Sequence, residues 1–135
     1  MPALNFPELR GYLSGAIDLV IEVADRYWIL DWKSNFLGAT ALHYETPALE
    51  AAMRQHHYHL QYLLYTAALH RYLQRRLPGY RYDLHVGGAL YLFVRGVRPG
   101  WISRLGHAAG VYSVRPARTL IEDLSALMNR PREVA

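Results

Sequence analysis

"AIDLVIEVADRYWILDWK", residues 16–33, decides the fold. Its first eight residues alternate as a strand does: Ile17, Leu19, Ile21 and Val23 on one face, Ala16, Asp18, Val20 and Glu22 on the other. "ADR" (24–26) interrupts the pattern, and "YWILDWK" (27–33) resumes it with aromatic and β-branched residues. The stretch predicts a β-hairpin whose register sets the fate of its charges. With Ala24-Asp25 as a two-residue loop, paired positions sum to 49 and Asp18 lies opposite Asp31. With Asp25-Arg26 as the loop the sum is 51 and Asp18 faces Lys33. Either register puts Asp18, Asp31 and Lys33 on one face, whereas a three-residue loop without a bulge does not.

Outward from the hairpin, residues 1–15 read as an irregular entry with two prolines and two glycines, and 34–45 as a loop. Thr46-Pro47 is a helix start, with Thr as N-cap and Pro at the first helical position. Helical pattern runs from 48 to 77, with a possible break at "HHYH" (56–59), and stops at Pro78-Gly79. "GALYLFVRG" (88–96) predicts an apolar strand buried on both faces, and "GVYSVRP" (110–116) a shorter one. Residues 117–129 predict an amphipathic helix with Leu120, Ile121, Leu124, Leu127 and Met128 turned inward. The order β-β-α-β-β-α implies a small sheet with helices on its faces, in the α/β or α+β class.

The chain has 135 residues, enough for one domain, and 52% are hydrophobic. Fifteen Lys+Arg against 11 Asp+Glu give a net charge of +4, which permits a nucleic-acid partner without demanding one. The absence of cysteine excludes disulfides, iron–sulfur clusters and thiolate zinc sites. No apolar run is long enough to span a bilayer and no signal-peptide pattern opens the chain, so a cytoplasmic protein without a membrane partner is expected.

Lys33 is the only lysine among fourteen arginines. Two carboxylates brought together on an apolar hairpin repel each other and resist burial. A hard divalent cation such as Mg²⁺ or Mn²⁺ relieves that repulsion, and an adjacent amine can orient a metal-bound water or neutralise a phosphorane-like transition state. Arginine stays protonated and cannot serve as a base, whereas lysine can. The competing reading is a buried Asp–Lys ion pair, with Asp18 a separate edge-strand charge. Hairpin geometry alone leaves both open.

Four ordered blocks carry a family resemblance: "GAIDLV" (15–20), "LDWKSNFLG" (30–38), "HHYHLQYLLYTAALHRYL" (56–73) and "GGALYLFVRG" (87–96). Their motif, Gly15-x-x-Asp18, then Asp31-x-Lys33-Ser34-Asn35, then Gln61-x-x-x-Tyr65, resembles the RecB-type nucleases of the PD-(D/E)XK superfamily. Within that branch it resembles the C-terminal nuclease domains of the RecB (beta) subunits of RecBCD-type helicase–nucleases (exodeoxyribonuclease V). The likeness covers residues 9–129 of a single domain, 1–135. It implies a restriction-endonuclease-like core, a mixed sheet flanked by helices. It also implies an Mg²⁺-dependent DNA exonuclease or endonuclease in double-strand-break repair and recombination, Mn²⁺ or Ca²⁺ substituting in binding.

Carried over by position, Asp18, Asp31 and the backbone carbonyl of Trp32 bind the metal, and Lys33 helps activate the attacking water. Gln61 and Tyr65, one helical turn apart, contact the nucleic-acid backbone and steady the Lys33 region. The implied partners are DNA, helicase and RecC-like subunits, and a recombinase. Two departures stand out. Ile17 replaces the proline of the superfamily's name, as is usual in the RecB branch. By the same resemblance, the leading helices, which supply a histidine ligand and a further acidic residue in the family, are expected to be missing. A truncated domain of this kind implies weak turnover and a homodimer burying residues 1–15; the alternative is a non-catalytic fragment that binds DNA or docks a partner.

Elsewhere, His56, His57 and His59 line a polar cleft or the surface rather than a zinc site, since their spacing does not share one face. Arg71, Arg75 and Arg76 either touch phosphates or solvate a helix end. Tyr62, Tyr65 and Tyr72 could stack bases, although packing at the edge of the core is the default for tyrosine. Trp28 and Trp32, opposite Asp31, are expected to pack in the core.

Overall fold

The computed structural model describes residues 15–104 and 106–129; the entry segment read at 1–15, and the dimer surface expected there, lie outside them but for Gly15. Four strands form one mixed sheet in the order β1 (Leu19–Val23), β2 (Arg26–Lys33), β3 (Val86–Phe93), β4 (Val111–Val114). β1–β2 and β3–β4 are antiparallel, and β2–β3 is parallel. A parallel pair needs a long crossover. Residues 34–85 provide it, with a 3₁₀ turn (Ala41–Tyr44), α1 (Thr46–Gln55), α2 (Tyr58–Arg76) and the single turn α3 (Tyr82–His85). After β4, α4 (Arg118–Met128) packs on α2. The expected α/β architecture, a mixed sheet flanked by helices, is what forms.

The hairpin takes the register whose pairs sum to 49: Leu19 pairs with Leu30 and Val23 with Arg26. Ala24 and Asp25 both have positive φ, 51° and 63°, as a type I′ turn requires. That turn matches the strand twist, and it places Asp18, Val20, Ile29, Asp31 and Lys33 on the helix-covered side. There Ile29, Ala89, Tyr91 and Phe93 meet Leu49, Met53, Ala67, Leu73 and Ile121 in the core. On the other side Leu19, Val23 and Trp32 are exposed, Trp32 by 45%, against its expected burial. Trp28 is half-buried; its indole lies flat on Gly87, where any Cβ would overlap the ring.

Several boundaries move, each for a local reason. Glu45, not Thr46, is the N-cap of α1 and Thr46 is already helical. Glu45 is buried there and held by the Arg104 amide and Nε, each donating over 3.1 Å. The helical stretch breaks at His57, whose φ of 56° is left-handed. β3 begins at Val86 and ends at Phe93, where Val94–Gly96 turn into a 3₁₀ helix. It is not buried on both faces: Ala89, Tyr91 and Phe93 are buried, Leu90 and Leu92 only partly. On α4, Ile121 and Ser125 are buried and Leu124 half-buried, whereas Leu120, Leu127 and Met128 are exposed. The contact is a narrow i, i+4 seam against α2 rather than the wide stripe the pattern suggested.

His70 of α2 is buried, with Nδ1 2.7 Å from the Tyr80 hydroxyl and its ring against Tyr82. Desolvation lowers its pKa below the usual histidine value, partly opposed by the charge of Glu122. Burial also raises the Tyr80 hydroxyl well above the normal tyrosine range and Tyr82 to about 12, so neither adds a charge near neutral pH. The fold therefore disfavours the protonated form of His70, while the unfolded chain protonates it near ~6.5. The unfolded state then binds more protons as pH falls below that value, so stability is complete above it and declines on acidification. Urea midpoints measured from pH 7.5 to 5 should fall less steeply in His70→Gln than in the unsubstituted chain; equal slopes count against the assignment.

Candidate active site

Lys33 is the hub. Its Nζ lies 2.7 Å from Asp31 Oδ1 and donates to Gln61 Oε1 over 3.0 Å. The same ammonium sits 4.0 Å above the centre of the Tyr58 ring and 5.4 Å from that of Tyr91. One carboxylate charge, one hydrogen-bond acceptor and two aromatic faces hold one ammonium; such faces attract a cation through their quadrupole. An amine on an otherwise free four-carbon stem is thereby fixed in direction.

Gln61 joins the strands to the helix. Its Oε1 accepts from both Lys33 Nζ and the Tyr91 hydroxyl, each at 3.0 Å. Its Nε2 donates to the Tyr65 hydroxyl at 3.2 Å, and that hydroxyl donates to the carbonyl of Ala16 at 2.7 Å. The one-turn spacing of Gln61 and Tyr65 on α2 makes the relay possible. Both side chains are thus engaged within the protein, bracing Lys33 on one side and the residues before Asp18 on the other.

Asp31 is 3% exposed, on the inward face of β2 beside Tyr91 of β3. Asp18 stands one position before the Leu19–Leu30 pair, which brings it opposite Asp31. Its Oδ2 accepts from the Trp32 amide at 3.0 Å, so a carboxylate occupies the place a ladder carbonyl would take. Burial, then the charge of Asp31, pushes the Tyr91 hydroxyl far above its ordinary pKa, which keeps it a donor to Gln61. Arg95 Nε donates to the Ser34 carbonyl at 2.7 Å and Tyr58 to Asn35 Oδ1 at 3.3 Å, which secures the loop after Lys33.

The donor set fits a hard divalent cation. Asp31 Oδ1 is buried and, although close to Lys33, receives no bond of hydrogen-bonding geometry. A buried carboxylate oxygen left so has lone-pair capacity to spare, and its neighbour Asp18 offers a second carboxylate. Among the described residues no three His, Asp or Glu side chains form a metal-holding group, so water would complete the coordination. That also disposes of a histidine zinc cluster: His56 stacks on Tyr58, His57 occupies the helix break, and His59 lies against Tyr62 and Tyr112.

Asp18, Asp31, Lys33, Gln61 and Tyr65 are therefore gathered at one place. Tyr91 was not foreseen as part of it, and Tyr58 stood only within the third block of the resemblance. A parallel pairing between strands some sixty residues apart puts Tyr91 beside Asp31, a register no local pattern encodes. Tyr58 had one available signal, its place three residues before Gln61 on the same helix.

Residues 4–133 match the family model of the PD-(D/E)XK nuclease superfamily. The chain is 48% identical over 120 residues to the RecBCD enzyme subunit RecB of Escherichia coli (strain K12), covering 89% of this chain and 10% of that protein. It is 44% identical over 132 residues to the RecB subunit of Mycolicibacterium smegmatis, covering 93% of this chain and 12% of the relative. For the Haemophilus influenzae RecB subunit the identity is 42% over 125 residues, 93% and 10% of the two chains. The chain thus spans about a tenth of the length of these curated relatives. With two apposed aspartates, a braced lysine and a match over nearly its whole length, the chain belongs to the PD-(D/E)XK nuclease superfamily, among the relatives of RecB.

Proposed function

We propose that this domain hydrolyses phosphodiester bonds in DNA with the help of Mg²⁺, as the nuclease part of a RecBCD-type helicase–nuclease acting in double-strand-break repair. The observation that carries this reading is the Lys33 ammonium, held between Asp31 and Gln61 beside a second carboxylate. Asp18, Asp31 and the Trp32 carbonyl would hold the metal, with Mn²⁺ or Ca²⁺ able to take its place in binding. When bound, the metal supplies charge neutralisation at the phosphate and a more acidic water. Lys33 orients the attacking water and offsets charge on the non-bridging phosphate oxygen. Gln61 and Tyr65 keep Lys33 and the chain before Asp18 in place. The wider partners are helicase and RecC-like subunits and a recombinase, in the cytoplasm, where the absence of any membrane-spanning helix among the described residues raises no obstacle.

The scarcity of ligands supports a second reading, a module that keeps the fold and binds DNA or a partner without cutting, since only two carboxylates face the site among the described residues. One assay separates the two. Plasmid nicking and cleavage of an end-labelled single strand should occur with Mg²⁺, stop in excess EDTA, and be lost in Asp18→Ala and Asp31→Ala. Cleavage that persists in EDTA or in both variants rules out the metal-dependent site; no cleavage by a folded, DNA-binding chain favours the module.

A further inference from the structure

The parallel strands β2 and β3 end together, at the Lys33–Phe93 pair. Ligands of such sheets bind beyond the carboxyl ends of the strands. Two segments leave that end, residues 34–45 after β2 and 94–101 after β3, and several contacts tie one to the other. Arg95 Nε donates to the Ser34 carbonyl over 2.7 Å. The Leu37 amide donates to the Tyr44 hydroxyl over 3.1 Å, and the Tyr44 ring lies on Gly96, where any Cβ would overlap it. Arg98 Nε donates to the Arg95 carbonyl over 3.1 Å, with its own guanidinium 4.6 Å from the centre of the Trp101 ring. Arg95 is therefore held at its main chain and again at Nε, beside the residue that follows Lys33.

The head of that guanidinium is not used up. Arg95 is exposed, and only Nε bonds within the protein. Among the described residues neither terminal nitrogen has an acceptor, and no carboxylate pairs with the charge. Holding one carbonyl takes one N–H and no charge, so the clamp alone does not account for an arginine. Lys33 Nζ is already committed to Asp31 and Gln61. A cleaved phosphate in DNA has charged neighbours along the strand, which Lys33 cannot also serve. A planar fork with both terminal nitrogens open matches a phosphate in geometry as well as in charge.

We infer that Arg95 is a substrate-positioning residue: its open fork grips a backbone phosphate next to the one cleaved, while Nε keeps the Ser34 carbonyl. One side chain thereby locks the strand to the segment that carries Lys33. The inference rests on the nuclease reading above and adds to it a residue which that reading leaves unused.

The test compares three variants of the whole chain. Arg95→Met keeps most of the side chain's length and removes its donors, and Arg95→Lys keeps the charge without the fork. Arg118→Met removes a charge that Asp83 already pairs at 2.7 Å, and is the control. Anisotropy of a labelled DNA strand in EDTA gives the slope of log affinity against log salt. The slope should fall by about 0.7 in Arg95→Met, one phosphate contact, and stay unchanged in Arg118→Met. Single-turnover cleavage of the same strand with Mg²⁺, at saturating DNA, should fall about 10²-fold in Arg95→Met, the usual cost of a misplacement of about 1 Å. Arg95→Lys should keep the slope and still lose cleavage, because an ammonium cannot hold carbonyl and phosphate together. Circular dichroism checks folding, and the lysine variant carries the test should Arg95→Met misfold.

A merely loosened loop lowers cleavage and leaves the slope alone, so an unchanged slope in Arg95→Met overturns the phosphate contact. A lower slope with cleavage intact, or full cleavage by Arg95→Lys, overturns the positioning role. In each of these cases Mg²⁺-dependent cleavage by the unsubstituted chain leaves the nuclease reading standing. If no chain cleaves yet the slope falls in Arg95→Met, the phosphate contact stands and the nuclease reading fails. A folded chain that binds no DNA overturns both.

Discussion

Lys33→Ala should lower the rate of Mg²⁺-dependent cleavage by about 10²–10³-fold, the usual effect of removing one donor aimed at developing charge. DNA affinity should hardly change, because one amine is a small part of a contact spread over several phosphates. Single-turnover cleavage beside equilibrium binding separates the two effects. Lys33→Arg is the sharper variant. It keeps the charge, but a planar fork cannot take the place of a point ammonium that sits 2.7 Å from Asp31 and 4.0 Å above a tyrosine ring. Arginine is thus expected to restore little activity, and a fully active arginine variant would show that charge alone is needed there.

Gln61→Leu is the second large effect. Leucine is close to glutamine in size but leaves the Lys33 ammonium and the Tyr91 hydroxyl without their shared acceptor. The hydroxyl is left with only the long bond to the Tyr58 carbonyl, at 3.4 Å, and weakening a buried donor in this way costs about 1 kcal/mol, readable as a lower urea midpoint. Cleavage should fall by about 10–100-fold, the range found when a group that orients a metal-site residue is lost. Gln61→Glu keeps the acceptor oxygens, loses the donor to Tyr65 and adds a negative charge facing Lys33, so it should retain more activity than leucine does. Wild-type turnover in Gln61→Leu would show that the brace is dispensable.

The hairpin and its charges were legible in the sequence because alternation is local and a two-residue turn leaves few registers. The choice between those registers was not, since it depends on Ala24 and Asp25 adopting positive φ, which neither residue advertises as glycine would. The extents of α1, α2 and α4 were readable to within a residue or two from capping and periodicity, whereas the single turn α3 was not foreseen. The inward face of α4 was overestimated because hydrophobicity shows which residues can be buried, not how much partner surface meets them. The partners of Lys33 divide the same way: Asp31 is two residues off on the same strand face, while Gln61 and Tyr91 arrive through the crossover.

That division has a consequence for the order in which the protein takes shape. The aspartates and the lysine lie within a hairpin that closes over a short span of chain, and short loops close at small entropic cost. The acceptor that steers the lysine lies 28 residues further on, and the tyrosine bonded to it another 30. A nascent chain can therefore own every charged group of the site while the amine still swings freely. On the nuclease reading proposed above, cutting power comes last, when α2 and β3 dock, so a half-made molecule poses little threat to the nucleic acid around it.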